Sequence, residues 1–431
     1  MILRVWPSTL KGTVHAPASK SVMQRLIAGA LLADGTSTIH HISESDDCTS
    51  ALLMAAQLGA DIELGEDTVR ITGHGVPMKP RSSILEAGES GLAARLFSPI
   101  ACLTDQKMVL EAKGTLAKRP MDILQEPLEK LGAAFRSTEG HCPIELSGPL
   151  LGGAASLDGS LSSQFLTGLL MALPTVEQDT ELVVKDLVSQ PYVEMTLSIL
   201  EDFGIDIKHD DAFKHFIVRG RQLFSPIETA VDGDWSGAAF LLVAGMIAAE
   251  SSIELEGLNN QYPQADEAIR GALLFAGGAL SGSDDGVQVA KRPVRAFQVD
   301  LTHCPDLFPP LAALAAFAKK PCTLRGVHRL IHKESNRAET LMQEFEKLGI
   351  AVVHNELDDT LVVEPWKQNP SAKTVRISSH GDHRMAMAGA VIALAAQQPI
   401  EIEGAECVAK SYPAFFDDLE VLGARIEWVA K

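Results

Sequence analysis

A short pattern of hydrophobic and polar residues recurs six times along this chain of 431 residues. In each copy an amphipathic stretch reaches a glycine, and apolar and polar residues then alternate. Glycine suits the left-handed backbone just past a helix end, and alternation suits a strand, so each copy predicts a helix followed by a strand. The copies are Leu58-Gly59-Ala60-Asp61-Ile62, Leu131-Gly132-Ala133-Ala134-Phe135, Phe203-Gly204-Ile205-Asp206-Ile207, Gly277-Gly278-Ala279-Leu280, Leu348-Gly349-Ile350-Ala351-Val352 and Leu422-Gly423-Ala424-Arg425-Ile426.

The six copies are evenly spaced. With Gly278 taken as the glycine of the fourth copy, successive glycines lie 73, 72, 74, 71 and 74 residues apart. So steady a period indicates an internal structural repeat. Six units that each contain a helix and a strand predict a layered α/β protein, and the units divide naturally into three plus three.

Two segments are candidate boundaries between the two groups of units. Val231-Asp232-Gly233-Asp234 follows the third unit, and His15-Ala16-Pro17-Ala18-Ser19 lies near the N-terminus. A chain of this length suggests two or three domains. We therefore expect a first domain of residues 1–18 plus 232–431 and a second domain of residues 19–231, with two chain crossings that suit a hinge.

The composition is that of a globular protein, with 46% hydrophobic and only 22% charged residues. The apolar stretches Ala238–Ala249 and Met385–Ala396 are too short to cross a bilayer, and the N-terminal residues do not resemble a signal peptide. Six cysteines lie scattered without any Cys-x-x-Cys pair. This favours reduced, buried thiols over disulfides or zinc, and a cytoplasmic location.

The formal net charge of −19 argues against nucleic acid and against a membrane surface as partners. It does not exclude small anionic substrates. A site for such anions requires Lys and Arg side chains gathered locally, against the field of the whole protein.

Clusters of this kind occur at predicted helix starts, where free N–H groups and the helix dipole favour anions. Each cluster alone is equally typical of an ordinary helix cap or a solvated surface. Their recurrence in several units predicts a protein that binds phosphorylated, carboxylated small molecules. The clusters are Ser19-Lys20-Ser21 with Arg25, Glu89-Ser90-Gly91 with Arg95, Lys118-Arg119-Pro120, Ser162-Ser163-Gln164, Ser189-Gln190-Pro191-Tyr192, Lys333-Glu334 with Arg337, His380-Gly381-Asp382-His383-Arg384 and Ala409-Lys410.

Two further features bear on chemistry. Asp306 precedes the unusually apolar stretch Leu311–Ala318. A carboxyl group against such a helix is expected to have a raised pKa, which suits a general base, although helix capping is the alternative. His380 and His383 flank Asp382, but no third His or Cys ligand lies nearby in the sequence, so we expect no metal site.

Taken together and in this order, the clusters resemble those of the 3-phosphoshikimate 1-carboxyvinyltransferase (EPSP synthase) family, from Pro17 to Leu422. The resemblance implies a two-domain inside-out α/β barrel of six βαβαββ repeat units, three per domain. In this fold the helices lie inside, the sheets lie outside and the active site lies in the cleft between the domains.

The resemblance also implies the reaction. The enolpyruvyl (carboxyvinyl) group of phosphoenolpyruvate is transferred to the 5-hydroxyl of 3-phosphoshikimate, and phosphate is released, by addition and elimination through a tetrahedral intermediate. The family uses no metal and no organic cofactor. The expected partners are therefore the two small-molecule substrates, with no nucleic acid and no membrane, and we expect a monomer.

The same resemblance assigns residues to each substrate. The expected ligands of 3-phosphoshikimate are Ser21, Arg25, Ser162, Ser163, Ser189, Tyr192, Asp306 and Lys333. The expected ligands of phosphoenolpyruvate are Lys20, Gly91, Arg119, Gln164, Arg337, Arg384 and Lys410. The expected catalytic residues are Lys20 near the departing phosphate, Asp306 for the hydroxyl proton and Glu334 for the methylene carbon, and the assignment of each carrier to a step stays open.

Several positions depart from the family pattern. Glu89 and Leu92 belong to a segment that is commonly Asn-Ala-Gly-Thr, and we expect the Glu89 charge to repel anions beside the phosphoenolpyruvate pocket. These departures are expected to weaken inhibition by glyphosate relative to the affinity for phosphoenolpyruvate. Elsewhere Leu96 replaces a common Pro, Thr115 a common Arg and Arg329 a common Asn.

Two alternative functions stay open at this point. The sister enzyme UDP-N-acetylglucosamine 1-carboxyvinyltransferase often carries a cysteine before the Arg-Pro pair, whereas Lys113-Gly114-Thr115-Leu116-Ala117 has none. A non-catalytic repeat scaffold of the same fold would be expected to lose the acid, base and clamp residues, yet these residues are present.

Overall fold

The computed structural model describes residues 1–258, 261–282, 286–368 and 374–429. Within these ranges the chain forms α-helices that alternate with short β-strands, joined by several single turns of 3-10 helix. The α-helices are α1 (Lys20–Leu32), α2 (Asp46–Gln57), α3 (Gly91–Ala101), α4 (Gln125–Lys130), α5 (Gln164–Ala172), α6 (Gln190–Asp202), α7 (Trp235–Ala248), α8 (Ile269–Phe275), α9 (Phe308–Ala315), α10 (Arg337–Lys347), α11 (His383–Leu394) and α12 (Phe415–Val421).

The strands are three to eight residues long. They are β1 (Ile2–Val5), β2 (Leu10–His15), β3 (Asp34–His40), β4 (Asp61–Leu64), β5 (Thr68–His74), β6 (Ile84–Glu86), β7 (Lys107–Glu111), β8 (Ala134–Thr138), β9 (His141–Ser147), β10 (Gly153–Asp158), β11 (Thr180–Lys185), β12 (Ile207–His209), β13 (His215–Val218), β14 (Glu228–Ala230), β15 (Ala249–Glu256), β16 (Ala279–Gly282), β17 (Gly286–Ala290), β18 (Gln298–Asp300), β19 (Cys322–Arg325), β20 (Val352–Asn355), β21 (Thr360–Val363), β22 (Val375–Ser378), β23 (Ile400–Glu403) and β24 (Ile426–Val429).

The described strands form six four-stranded sheets of one topology. In the sheet β6-β7-β9-β8, strands β6 and β7 are parallel, and β9 is antiparallel to both β7 and β8. A parallel pair needs a crossover, which α3 supplies, and α4 then leads into β8. Each unit therefore has the expected order βαβαββ.

Three sheets take a strand from a distant part of the chain. Strand β14 is parallel to β3 and β2 is parallel to β15, so each supplies the first strand of a unit. In the sheet β22-β23-β1-β24, strand β1 is antiparallel to both neighbours, with Leu3 opposite Ile402 on one side and Trp428 on the other. The N-terminal strand thus completes the sixth unit.

Contacts group the chain into two compact units. Unit 1 contains Met1–Pro17, Gly233–Asn260 and Ala265–Lys431, and unit 2 contains Ala18–Asp232 and Gln261–Gln264. The segment Gln261–Gln264 belongs to unit 2 because the backbone N–H groups of Gln261 and Tyr262 donate to the Asp232 carboxylate at 3.2 and 2.8 Å.

The core of each unit is formed by the first helix of each repeat. In unit 2 these helices are α1, α3 and α5, and in unit 1 they are α7, α9 and α11. Every residue of α3, α7, α9 and α11 is buried. The second helix of each repeat has one buried face, and the strands alternate between buried and exposed residues. The expected inside-out arrangement, with helices within and sheets outside, is therefore confirmed for each unit by itself.

The repeated glycines all have left-handed φ angles. They are Gly59 (117°), Gly132 (100°), Gly204 (82°), Gly277 (87°), Gly349 (80°) and Gly423 (103°). In the fourth unit the glycine that follows the helix is Gly277 and not Gly278, because α8 ends at Phe275 with Ala276 as its C-cap. The predicted helix ends are confirmed, and the gaps around the fourth copy become 73 and 72 residues.

The conformation of Gly349 predicts the effect of a methyl group there. A Cβ would meet no atom within 4 Å, so Gly349→Ala tests backbone strain alone and should lower the free energy of unfolding by about 1–2 kcal/mol. A Cβ at Gly271, inside α8, would also meet no atom within 4 Å, but Gly271 lacks the left-handed φ angle. Gly271→Ala should therefore raise the free energy of unfolding by up to about 1 kcal/mol. Urea unfolding of both variants measures the difference, and effects of the same sign would contradict it.

Candidate functional site

In unit 2 the start of α1 brings Ser21, Arg25 and Tyr192 together. Ser19 caps the helix by accepting the Val22 N–H. Arg25 lies one turn further on with 1% of its surface exposed. Its Nη1 donates to the Ser21 carbonyl at 2.6 Å and its Nη2 to the Tyr192 carbonyl at 3.3 Å. Three residues assigned to 3-phosphoshikimate are thus held in one group.

The Arg25 guanidinium is fixed by neutral oxygens. Besides the two carbonyls, its Nε donates to Thr196 Oγ1 at 2.9 Å and its Nη2 to Thr167 Oγ1 at 3.4 Å. Burial lowers the pKa of Arg25 to about 10, an effect that the nearby Tyr192 opposes. These contacts orient the guanidinium without cancelling its positive charge, which suits an anion site.

Lys20, the first residue of α1, has an acidic neighbour that sequence reasoning missed. Its Nζ donates to Asp47 Oδ2 at 2.7 Å, and Asp47 lies buried in the first turn of α2. The two residues are 27 positions apart, so no local pattern joins them. The pair fixes the lysine ammonium at the N-terminus of α1.

A second group in unit 2 surrounds the start of α3. Gly91 is its first residue, and a Cβ there would lie 3.1 Å from Arg119 Nη1 and 3.5 Å from Arg95 Nη1. Arg95 donates to Gln164 Oε1 at 2.7 Å and stacks over the Phe165 ring at 4.8 Å. The absence of a side chain at Gly91 therefore leaves room for the two guanidiniums at a helix N-terminus.

The serines at helix starts behave differently from one another. Ser162, which precedes the N-cap of α5, accepts the Gln164 N–H through its Oγ at 3.3 Å. Ser163 and Ser189 occupy N-cap positions, but neither side chain caps its helix. Ser189 also has a left-handed φ of 54°, a strained conformation for a serine. Side-chain capping, the alternative that the sequence offered for Ser189, is therefore wrong, and Ser163 does not cap α5 either.

In unit 1 the side chain of Arg337 joins three acidic residues. Arg337 begins α10 and is 1% exposed. Its guanidinium donates to Asp382 Oδ2 at 2.7 Å, to Asp306 Oδ1 at 2.6 Å and to Glu334 Oε2. Burial disfavours the positive charge, yet these carboxylates raise the pKa of Arg337. The predicted residues Asp306, Glu334 and Arg337 are therefore brought into one network.

The expected raised pKa of Asp306 is wrong. The residue lies in the 3-10 turn Pro305–Leu307, next to the apolar helix α9 as expected. Burial does raise its pKa, but the positive charges of Arg384, Lys333 and Arg337 together outweigh burial and hold the pKa of Asp306 well below its usual value. All three cations contact it directly, Arg337 at 2.6 Å, Arg384 at 3.2 Å and Lys333 at 3.3 Å. Asp306 is therefore an ionised carboxylate at neutral pH.

Arg329 is a further cation near Asp306. It is buried in the 3-10 turn Val327–Leu330. Burial lowers its pKa to about 10, and Asp306 opposes this effect. Burial likewise lowers the pKa of Lys333, again against the charge of Asp306. The Arg329 departure thus adds a positive charge to the network.

The start of α11 supplies the remaining predicted residues of unit 1. Arg384 is 3% exposed, and its Nε has no hydrogen-bond partner within the described part of the chain. Lys410 is 6% exposed at the end of the 3-10 turn Ala405–Lys410, which packs against α11. Both cations are therefore held close to the same helix.

Asp382 organises this end of unit 1, although sequence reasoning gave it no role. It is fully buried and caps α11 by accepting the Arg384 N–H at 3.0 Å. The same carboxylate accepts from Arg337 and from Ser335 Oγ at 3.1 Å. The Asp-His-Arg sequence at a helix start was the available signal, but the partners of Asp382 are Arg337, which begins α10, and Ser335 just before it, 45 and 47 residues away.

Two kinds of feature are absent from the described residues. No helix in the ranges covered by the structure is long and apolar enough to cross a membrane. Over the same ranges no group of three His, Cys, Asp or Glu side chains is arranged to hold a metal ion.

Comparison with known proteins gives one consistent result. The family model for EPSP synthase (3-phosphoshikimate 1-carboxyvinyltransferase) matches residues 6–419. A protein named 3-phosphoshikimate 1-carboxyvinyltransferase from Serratia proteamaculans (strain 568) is 34% identical over 98% of this chain and 97% of its own. One of the same name from Clostridium acetobutylicum is 34% identical over 99% and 98%.

Solved structures agree. EPSP synthase from Acinetobacter baumannii has a TM-score of 0.81 at 26% identity, covering 99% of this chain and 100% of that one. The enolpyruvyl transferase NikO from Streptomyces tendae has a TM-score of 0.76 at 18% identity, covering 99% and 98%. The second likeness concerns the fold alone.

The lowered pKa of Asp306 predicts an acid-dependent term in stability. A carboxyl group whose pKa falls on folding stabilises the protein above its unfolded value, near pH 4, and the stabilisation is lost as the pH falls through the folded value. Asp306→Asn should therefore reduce the loss of unfolding free energy between pH 4 and pH 2, measured by urea unfolding.

Asp418 provides a control of opposite sign in the same unit. Burial raises its pKa, against the hydrogen bond from Tyr412, so its ionisation removes stability as the pH rises above about 4. Asp418→Asn should gain stability relative to the parent protein over that range. A parallel response of both variants would contradict the assigned pKa directions.

Proposed function

The chain belongs to the EPSP synthase (3-phosphoshikimate 1-carboxyvinyltransferase) family, and from this premise we propose how its buried cations divide between two substrates. The enzyme transfers the carboxyvinyl group of phosphoenolpyruvate to the 5-hydroxyl of 3-phosphoshikimate and releases phosphate, a step of the shikimate pathway. The relatives support this acceptor and not the UDP-sugar.

One observation supports the assignment of these residues to two anionic substrates. Within the part of the chain that the structure describes, seven Lys and Arg side chains are each at most 7% exposed, although the protein has a net charge of −19. Removing a positive charge from water costs several kcal/mol that nearby groups must offset, so bound anions would add to the stabilisation of such a set. The two substrates together bring two carboxylates and two phosphates. The seven cations are Arg25, Arg95, Arg119, Arg329, Arg337, Arg384 and Lys410.

For 3-phosphoshikimate the proposed ligands lie mainly in unit 2. Support comes from Arg25, whose charge is held by neutral oxygens, and from Ser163, whose side chain does not cap its helix. The full proposed set is Ser21, Arg25, Ser162, Ser163, Ser189 and Tyr192 from unit 2, with Asp306 and Lys333 from unit 1.

For phosphoenolpyruvate the proposed ligands are largely cations. Gly91 supports the assignment, because a glycine under the Arg119 guanidinium lets an anion approach both the charge and the helix N-terminus. The full proposed set is Lys20, Gly91, Arg119 and Gln164 from unit 2, with Arg337, Arg384 and Lys410 from unit 1.

The proposed chemistry needs carriers for two protons. The acceptor hydroxyl loses a proton while the methylene carbon gains one, and the resulting methyl group loses a proton as phosphate leaves. Asp306, ionised in the free protein, is the proposed acceptor of the hydroxyl proton. Glu334 is the proposed carrier at carbon, held in place by Arg337, and Lys20 is proposed to assist the departing phosphate.

We further propose that the enzyme acts as a monomer in the cytoplasm. All six cysteines are free thiols, and burial raises the pKa of Cys48 and Cys102 to about 12, so these two resist oxidation. Such thiols suit a reducing compartment.

Acceptor identity is tested by phosphate release from phosphoenolpyruvate. We expect release with 3-phosphoshikimate, because the serine-rich sites around Arg25 suit a compact phosphate, and none with UDP-N-acetylglucosamine. The two acceptors are compared at equal concentrations in one coupled assay. Release only with the UDP-sugar would overturn the function.

The role of Glu334 is tested by Glu334→Gln. Loss of a proton carrier should lower kcat by roughly 10²-fold or more, with a much smaller change in either KM. Glu339→Gln is the matched control, since Glu339 lies exposed in the first turn of α10 and should leave kcat unchanged. A Glu334→Gln enzyme within a few-fold of the parent would remove the residue from the mechanism.

A further inference from the structure

Two of the positions that depart from the family pattern contact each other. Glu89 immediately precedes the cap of α3, and Thr115 lies 26 residues later in the loop that follows β7. The Glu89 carboxylate accepts both the backbone N–H of Thr115, at 3.1 Å, and its hydroxyl, at 3.2 Å. The two departures therefore form one interaction.

The contact continues to Arg119. Arg119 Nη2 donates to Thr115 Oγ1 at 3.3 Å. A hydroxyl has one proton and two lone pairs, so a Thr115 hydroxyl that donates to Glu89 presents lone pairs to the guanidinium. The direction of each hydrogen bond in the chain from Arg119 through Thr115 to Glu89 is thereby fixed.

The backbone around Glu89, Thr115 and Arg119 has a conformation that allows this series of hydrogen bonds. Strand pairing continues past β7 as the Lys113 N–H donates to the Gly88 carbonyl at 2.7 Å, which brings Glu89 opposite the loop. Gly114 has a left-handed φ of 53°, and a Cβ there would overlap the Glu89 carboxylate. Thr115 then precedes the 3-10 turn Leu116–Lys118, which leads directly to Arg119.

We propose that Glu89 is a positioning residue for phosphoenolpyruvate, which acts through Thr115 to aim the Arg119 guanidinium over Gly91. The proposal rests on the proposed role of Arg119 as a ligand of that substrate. It reverses the expectation that the Glu89 charge mainly repels anions. The carboxylate instead accepts hydrogen bonds from the Thr115 N–H and hydroxyl and so holds the loop that contains Thr115.

The experiment compares Glu89→Ala, Thr115→Val and the double variant with the parent enzyme. Each single change should raise the KM for phosphoenolpyruvate about 10-fold, leaving kcat within about 3-fold and the KM for 3-phosphoshikimate unchanged, as expected when one hydrogen bond to a charged group is lost. The KM of the double variant for phosphoenolpyruvate should not exceed the higher of the two single-variant values, because both substitutions break the same series of hydrogen bonds. Thr115→Ser, which keeps the hydroxyl, should remain within about 2-fold of the parent.

Glu111→Ala is the matched control. It removes a carboxylate from the end of the neighbouring strand β7, where the side chain is exposed, and should leave both KM values unchanged. Thr115→Val preserves a readout if Glu89→Ala fails to fold, and thermal unfolding identifies such a failure.

Several outcomes would overturn the proposal. A fall in the KM for phosphoenolpyruvate in Glu89→Ala would indicate that repulsion dominates, and additive effects in the double variant would separate the two residues. Arg119→Gln separates a failure of the ligand role of Arg119 from a failure of the positioning role of Glu89. An unchanged KM for phosphoenolpyruvate in that variant removes both the role of Arg119 and the positioning role. A raised KM there, without effects in the Glu89 and Thr115 variants, removes the positioning role alone.

Discussion

Burial of positive charge at the starts of helices is the constraint on which the rest of this structure depends. A cation can be buried when its donors are satisfied and its charge is balanced or awaits a partner. The two units meet this condition in different ways. Arg25 is surrounded by neutral hydroxyl and carbonyl oxygens, whereas Arg337 is surrounded by three carboxylates. The inside-out layering makes both possible, since helices within each unit place their N-terminal N–H groups among buried side chains.

The fold was predictable because its signal is local and repeated. A helix end, a left-handed glycine and an alternating strand lie within five residues, and the copies support one another. An error at Gly277 arose where two adjacent glycines offered the same signal and helix length decided between them. The clusters at helix starts were local too, and their place in a known family came from their order along the chain.

The electrostatic properties of the site were not predictable from sequence. The pKa of Asp306 was expected to rise because its near neighbours along the chain are apolar. It falls because three cations contact Asp306 in the folded protein. They are Arg384, Lys333 and Arg337, which lie 78, 27 and 31 residues further along the chain. Glu89 illustrates the same limit, since a lone acidic substitution suggests repulsion until Thr115 is placed beside it. Local sequence identifies the ionisable side chains of the site, but tertiary packing sets their charge states and their orientations.

The strand that completes the last sheet has a consequence for biosynthesis. Strand β1 is synthesised long before its partners β23 and β24, which begin some 400 residues later. Unit 2 ends at Gln264, so all of its residues have been made while much of unit 1 is still missing. Strand β1 must therefore stay without these partners until β23 and β24 have been made, and its four-residue length limits the sheet edge exposed to other chains during that time.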